Sequence, residues 1–253
     1  MIEEYLEVPA GTLFIQRWRP EQVKGAPIVL LHDSLGCVAL WRDFPQTLAQ
    51  MSGREVIAYD RLGFGRSSTQ REPAPLSFID DQARHVLPQL VQGLILDDYV
   101  LCGHSVGGAM ALAAASLSRH CVGVIAISAQ AFVEDKTLVG IEQAKRAFAE
   151  PEQFARLEKW HGERARWVLD AWTQVWLAPE FRGWSLTPYL AQVHCPVLVI
   201  HGQADEYGSC AFPEHIAAQV AGPVQSLILP GCGHVPHREQ APAVLQAIAA
   251  FLN

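Results

Sequence analysis

Gly103-His104-Ser105-Val106-Gly107 follows the apolar run Asp98-Tyr-Val-Leu-Cys102 and precedes the small-residue stretch Gly108-Ala-Met-Ala-Leu-Ala-Ala-Ala115. This order predicts a buried strand, a sharp turn and a helix, with a serine at the turn. Glycines on both sides of Ser105 let the backbone fold tightly enough to push its hydroxyl out of the sheet edge. The helix that follows offers free amides to a developing negative charge.

Outward from this turn the chain alternates. Strands are predicted over residues 12–18, 27–32, 55–60, 122–128, 196–201 and 225–229, and helices over 40–51, 77–91 and 238–252. The strand segments are continuous apolar runs, the pattern of strands buried on both faces. The expected fold class is therefore α/β, a mostly parallel sheet covered by helices on both faces, with the first strands pairing antiparallel. Between Ser128 and Gln192 helical patterns run on without a strand, and five of the seven tryptophans fall there: Trp160, Trp167, Trp172, Trp176 and Trp184. A stretch this long exceeds a connecting loop. It is expected to be a helical cap, residues 131–191, inserted into a core made of 1–130 and 192–253. Some of its tryptophans would glue the cap to the body. Trp160, Trp172 and Trp176, with Leu35, are expected to line a substrate pocket.

The chain has 253 residues, half of them hydrophobic, and a net charge of -7. That balance disfavours a nucleic-acid partner, because Lys and Arg are scattered and form no basic patch. The start, Met1-Ile-Glu-Glu-Tyr-Leu-Glu7, has neither a basic nor an apolar leader segment, and no apolar run reaches membrane-spanning length. A cytoplasmic protein, monomer or homodimer, acting on a small molecule is expected. Six cysteines are too few for a disulfide scaffold and lack zinc-site spacing. Cys102 and Cys121 read as buried hydrophobes. Cys37 and Cys232, beside candidate catalytic segments, read as thiols without a catalytic role.

A serine hydroxyl is a weak nucleophile, so Ser105 needs a histidine within hydrogen-bond reach and a carboxylate to orient it. Gly231-Cys-Gly-His234 follows the last predicted strand, and its glycines allow a tight loop carrying an imidazole to the sheet edge. His234 is the expected base. The rival His237 is expected to be solvated at the start of the closing helix, and His161 to lie on the surface of the cap. The expected acid is Asp205, delivered by the strand ending at His201, with Glu206 as its alternative. His104 is expected to be a packed neighbour.

These segments resemble the α/β-hydrolase superfamily, in its capped esterase, lactonase and C–C hydrolase branch. The serine, acid, histidine order is the one associated with that fold. Leu31-His32-Asp33-Ser34-Leu35-Gly36 is similar to its oxyanion loop, and Asp60-Arg-Leu-Gly63-Phe-Gly65-Arg-Ser67 to its D-x-x-G-x-G-x-S stretch. The resemblance implies an oxyanion hole from the backbone amides of Ser34 and Val106, with His32 bracing the loop. Asp33 stands where the pattern has glycine, so either the backbone is adjusted or Asp33 takes a positive φ; an exposed turn role is expected for its side chain. The implied activity is hydrolysis of a small carboxylic ester, thioester or lactone through an acyl-enzyme, with no metal or cofactor. Two alternatives keep the fold: C–C bond hydrolysis or a menaquinone-synthase-like lyase reaction with the same triad, and a non-catalytic small-ligand receptor. Eight Lys and Arg against nine Asp and Glu over 131–191 give no case for a highly anionic carrier.

Overall fold

The computed structural model describes residues 1–253. From the N-terminus its strands are β1 (Ile2–Val8), β2 (Gly11–Trp18), β3 (Ile28–Leu31), β4 (Val56–Tyr59), β5 (Tyr99–His104), β6 (Cys121–Ile127), β7 (Val197–Gly202) and β8 (Val224–Leu229). They form one sheet in the order β1-β2-β4-β3-β5-β6-β7-β8. β1 and β2 pair antiparallel, as do β2 and β4; every other pairing is parallel.

Strict two-residue alternation explains why the central strands are apolar throughout. Ile28 and Leu30 in β3, Val100 and Cys102 in β5, and Ile125 and Ile127 in β6 face one core, shared with helices α1 (Phe44–Ser52) and α11 (Ala241–Leu252). Their neighbours Val29, Leu31, Leu101, Val124 and Ala126 face the other core. That second core takes in α4 (Val106–Ala115), all ten residues of which are buried. Its Gly and Ala residues let a helix lie fully inside. The remaining helices are α2 (Phe78–Asp81), α3 (Leu87–Gly93), α5 (Asp135–Ala147), α6 (Pro151–His161), α7 (Ala165–Trp176), α8 (Thr187–Leu190), α9 (Ala211–Gln219) and α10 (Pro236–Glu239).

Prolines divide the long helices expected from the sequence. The segment 40–51 becomes a tight turn at Val38–Trp41, a break at Arg42 with φ 53°, and α1 restarting around Pro45. The closing helix is divided at Gln240 and resumes with Pro242 in its first turn, where the missing N–H costs nothing. Between α2 and α3 a wider π-helical turn, Gln82–Val86, precedes Pro88, which cannot donate to the turn before it. β1 is an element the apolar pattern does not reveal: it is an edge strand whose Glu3, Glu4 and Glu7 interrupt any hydrophobic run.

Between β6 and β7 the chain contributes four α-helices and no sheet strand, and a single bridge, Phe132 to Ser185, ties the two ends of that segment together. Trp176 is 1% exposed and packs edge-on to Phe181 and Trp184, themselves stacked 5.5 Å apart. No helix is long and apolar enough to cross a membrane.

The turn after β5 tolerates no extra atoms. A Cβ on Gly103 would lie 2.1 Å from the Gly107 carbonyl oxygen, whereas a Cβ on Gly183 meets nothing within 4 Å. Gly103→Ala is expected to cost about 3 kcal/mol of stability and Gly183→Ala less than about 0.5 kcal/mol. Urea denaturation of the two variants measures the difference, and equal midpoints would refute the packing argument.

Candidate active site

Ser105 sits between β5 and α4 with φ 58° and ψ −127°, a conformation that costs an L-residue on the order of 1–3 kcal/mol. It persists because its surroundings over-determine it. Ser105 N–H donates to the Ile127 carbonyl at 2.8 Å, and α4 approaches β3 so closely that a Cβ on Gly107 would meet the Leu31 carbonyl oxygen at 2.1 Å. The result is a serine hydroxyl held up from the carboxyl ends of the parallel strands, where the loops after β7 and β8 also arrive.

Those two loops are locked to each other. A Cβ on Gly202 would fall 2.1 Å from the Gly233 carbonyl oxygen, and Ala204 N–H donates to the Cys232 carbonyl at 2.8 Å. Glu239 accepts from the amides of Gly233 (2.6 Å) and Val235 (2.9 Å), so the histidine loop is strapped on both sides of His234. His234 Nδ1–H points at Asp205, 2.9 Å from Oδ1 and 2.8 Å from Oδ2, and Nε2 accepts the Ser105 hydroxyl proton at 2.9 Å. The tautomer follows from these partners. Asp205 is fully buried, and its Oδ1 also accepts from the amides of Tyr207 (2.8 Å) and Gly208 (3.2 Å). Glu206 is turned elsewhere: its carboxylate accepts the backbone N–H of His234 at 3.2 Å, not the ring.

Electrostatics sets His234 apart from the other histidines. Burial disfavours its imidazolium, but the Asp205 hydrogen bond and charge, helped by Glu206 and Asp33, outweigh burial and raise it above the ordinary imidazole value. Burial pushes Asp205 up, yet its contacts with His234 and the Tyr207 amide leave it below the ordinary carboxylate value.

The oxyanion-loop residues stand nearby. Ser34 borders the cavity that contains Ser105, and Val106 opens α4, where helix geometry leaves amides free. Neither amide is engaged in the hydrogen bonds of turns and caps. His32 Nδ1–H and Arg61 Nη2–H both donate to the Asp33 carbonyl, at 2.8 and 2.9 Å, and the Arg61 amide donates to His32 Nε2 at 3.1 Å. Asp33 does not take a positive φ. Instead of glycine-like freedom the loop uses an Asx turn, Leu35 N–H to Asp33 Oδ1 at 2.9 Å, and the side chain is half-buried against the cavity.

Three expectations need correction. Trp160 does not reach the Ser105 cavity; it borders a separate surface depression with His161 and Arg164, its ring 5.2 Å from Lys159 Nζ. His161 is 3% exposed: its Nδ1 accepts the Gly65 amide and its Nε2–H donates to the Leu35 carbonyl, both at 3.0 Å. It therefore joins α6 to two core loops. His237 is 4% exposed, packed 5.0 Å from Trp41 and 4.6 Å from His104. Of the other expected pocket residues, Leu35 and Trp172 border the Ser105 cavity of about 250 Å³, while Trp176 borders an adjoining cavity that also includes Trp172.

Sequence reasoning missed Gln130. It is buried just after Ser128, a residue with φ 46°, and its Nε2–H donates to Ser105 Oγ at 3.1 Å. The positive φ at Ser128 redirects the chain leaving β6, and no local motif announces it. Cys37 and Cys232 are buried, and burial, reinforced by Asp60 and Glu239 respectively, pushes the thiols up to about 12 and about 11. Neither can supply a thiolate near neutrality. No group of three or more His, Cys, Asp or Glu side chains is arranged to hold a metal ion.

Comparison with known proteins agrees with this architecture. The profile of the alpha/beta hydrolase family matches residues 28–247. The rat (Rattus norvegicus) 1-acylglycerol-3-phosphate O-acyltransferase ABHD5 is 37% identical over 87 residues, 34% of this chain and 24% of that protein. The proline iminopeptidase of Lactobacillus delbrueckii subsp. lactis is 35% identical over 92 residues, 36% of this chain and 31% of that protein. The matched stretches thus span less than a third of either relative. Among solved structures, the enol-lactonase from Burkholderia xenovorans LB400 superposes with a TM-score of 0.77 at 18% identity, covering 98% of this chain and 99% of that one. The proline iminopeptidase of Mycobacterium smegmatis gives 0.73 at 21% identity, over 99% and 97%. At these identities the structural likeness speaks for the fold.

The His234 balance is directly measurable. Its ring is expected to titrate above the ordinary imidazole value, and in Asp205→Asn, where burial is no longer outweighed, below it. Histidine NMR of the two proteins shows this; an Asp205→Asn ring still titrating above the ordinary value would contradict the assignment.

Proposed function

The chain belongs to the alpha/beta hydrolase family, a family of hydrolase enzymes, and from that premise we propose that it is a serine hydrolase acting on a small carboxylic ester, thioester or lactone. The observation that carries this is the continuous path from Ser105 Oγ through the His234 ring to the Asp205 carboxylate, at 2.9 Å and then 2.8 Å. As Ser105 Oγ attacks the substrate carbonyl carbon, its proton passes to His234 Nε2, and Asp205 stabilises the imidazolium without taking the proton. The carbonyl oxygen becomes an oxyanion received by the amides of Ser34 and Val106. Their benefit arises because these dipoles are already aligned when the charge appears.

Collapse of the tetrahedral species expels the alcohol or thiol, to which His234 returns the proton; in a lactone the leaving oxygen stays tethered. Water, deprotonated by the same nitrogen, then attacks the acyl-serine, and the acid departs as Oγ recovers its proton. Gln130 Nε2–H, bonded to Oγ at 3.1 Å, holds a serine lone pair so that the hydroxyl hydrogen is directed to His234. We assign residues 131–191 as a cap over this site, since Thr137, Ile141 and Trp172 border the Ser105 cavity from α5 and α7.

With an activated aryl ester, Ser105→Ala is expected to lower kcat by a factor on the order of 10⁶. The rate of the unaltered protein should be lost as pH falls, because protonated His234 cannot accept a proton. The half-rise should lie above the ordinary imidazole value, as the raised His234 requires. Quenched reactions analysed by mass spectrometry should carry an acyl group on the peptide containing Ser105. Brisk turnover of a vinylogous diketone with no acyl adduct from any ester would overturn the acyl-enzyme reading in favour of C–C cleavage.

A further inference from the structure

Beside the Ser105 cavity lies a second one of about 280 Å³, and Ser34 and Trp172 border both. Ser34 and Trp172 are common to both linings, so the second space lies next to the place that a molecule with its carbonyl over Ser105 would occupy. That space is walled by the aromatic faces of Phe64, Phe78, Trp167 and Trp176, with Arg61 and Gln82 as polar interruptions.

Arg61 is the anomaly. It is 5% exposed, yet it takes part in no ion pair. Its guanidinium makes one hydrogen bond, Nη2–H to the Asp33 carbonyl at 2.9 Å; Nε is buried without a partner, and the guanidinium carbon lies 4.1 Å from the Phe64 ring centroid. A buried cation without an anion is costly, and Nη1, which is neither enclosed nor hydrogen-bonded, leaves donors that suit a carboxylate in the cavity Arg61 borders. Burial lowers Arg61 to about 10 against the opposing pull of Tyr59 and Asp33, consistent with a charge that the protein itself leaves uncompensated. Two carboxylates also border the cavity, but neither pairs with Arg61: Glu72 is exposed, and Asp81 accepts from Ser77 Oγ at 2.7 Å.

We propose that the second cavity is a carboxylate subsite, and that the substrate carries a carboxylate separated from its scissile carbonyl by a short apolar spacer, taken up by Arg61. This deepens the hydrolase reading and rests on it for the position of the scissile carbonyl. The aromatic walls take the spacer, and Gln82, whose Nε2–H donates to the Tyr59 hydroxyl at 2.6 Å, is a polar part of the same lining. The net charge of -7 gives no general attraction for anions, so a preference for one must be local.

The test reads binding rather than turnover. Fluorescence of Trp167, Trp172 and Trp176 is followed while the unaltered protein is titrated with 6-amino-6-oxohexanoate or with hexanamide, and with their homologues one and two carbons longer or shorter. The carboxylate form is expected to bind about tenfold to a hundredfold more tightly than its neutral counterpart, with the advantage peaking at one chain length because Arg61 is fixed. Arg61→Met should erase that advantage while leaving the neutral amide's affinity within about threefold. Equal binding of acid and neutral forms, an advantage independent of length, or one that survives in Arg61→Met overturns the proposal. Because Arg61 also holds the Asp33 carbonyl, the length series in the unaltered protein stands as a test even if Arg61→Met does not fold. Carboxylate-selective binding without an acyl adduct on Ser105 would refute the hydrolase reading alone; an adduct without selectivity would refute the subsite alone.

Discussion

The conformation of Ser105 is the constraint on which the rest is built. A residue with φ 58° cannot be held by its own preferences, so neighbouring backbones must hold it, and they can do so only by coming closer than any side chain permits. Gly103 against Gly107, and Gly107 against Leu31, are the contacts that fix it, and they lock β3, β5 and the first turn of α4 into one rigid unit. Gly108 adds a third, with Ala129 Cβ only 2.7 Å from where its own Cβ would stand. Glycine at position 105 would relieve the strain and remove the hydroxyl. Serine there is a stability cost accepted for a hydroxyl in a defined position, and the buried α4 supplies the packing that offsets it.

Much of this was legible in one dimension because it is local or follows from strand order. The turn around Ser105 carries its own glycines, the two-sided burial of the central strands leaves apolar runs, and Asp205 and His234 follow strands that end at the same edge. What was hidden depends on pairs far apart in sequence. His161 contacts Gly65 and Leu35, 96 and 126 residues away, and neither partner marks it as buried. His237 looked like a helix-start histidine on the surface, but Trp41 and Phe44 from the first third of the chain fold over it. Trp160 failed for a simpler reason: helical spacing on α6 says which residues share a face, not which face meets the cavity.

The histidines show why residue type alone could not assign roles. Burial lowers His32, His161, His201 and His237, and the imidazole serves in most of these as a neutral structural link. Only His234 combines a carboxylate at 2.8 Å on Nδ1 with a serine hydroxyl at Nε2. His201 comes near the same carboxylate, at 3.9 Å, but its Nε2 lies 3.4 Å from the Gly208 carbonyl and it does not border the Ser105 cavity. The same side chain thus braces a loop or joins a carboxylate to a serine hydroxyl according to what its second nitrogen faces.

Asp33 links that electrostatic pattern to the oxyanion loop. Its carboxylate borders the same cavity as Ser105, where an uncompensated negative charge would be costly. Its Oδ1 is taken by the Leu35 amide and its Oδ2 lies 3.4 Å from His104 Nδ1, while His104 Nε2 lies 2.8 Å from the His234 carbonyl oxygen. Burial pushes Asp33 up, but His104, His32 and the Leu35 amide hold it well below the ordinary carboxylate range, so it stays ionised. The residue that departs from the glycine pattern therefore ties the loop presenting Ser34 to the loop presenting His234. Both are referenced to His104, one residue before Ser105, and the relative placement of Ser34, His234 and Ser105 is set through a single buried imidazole.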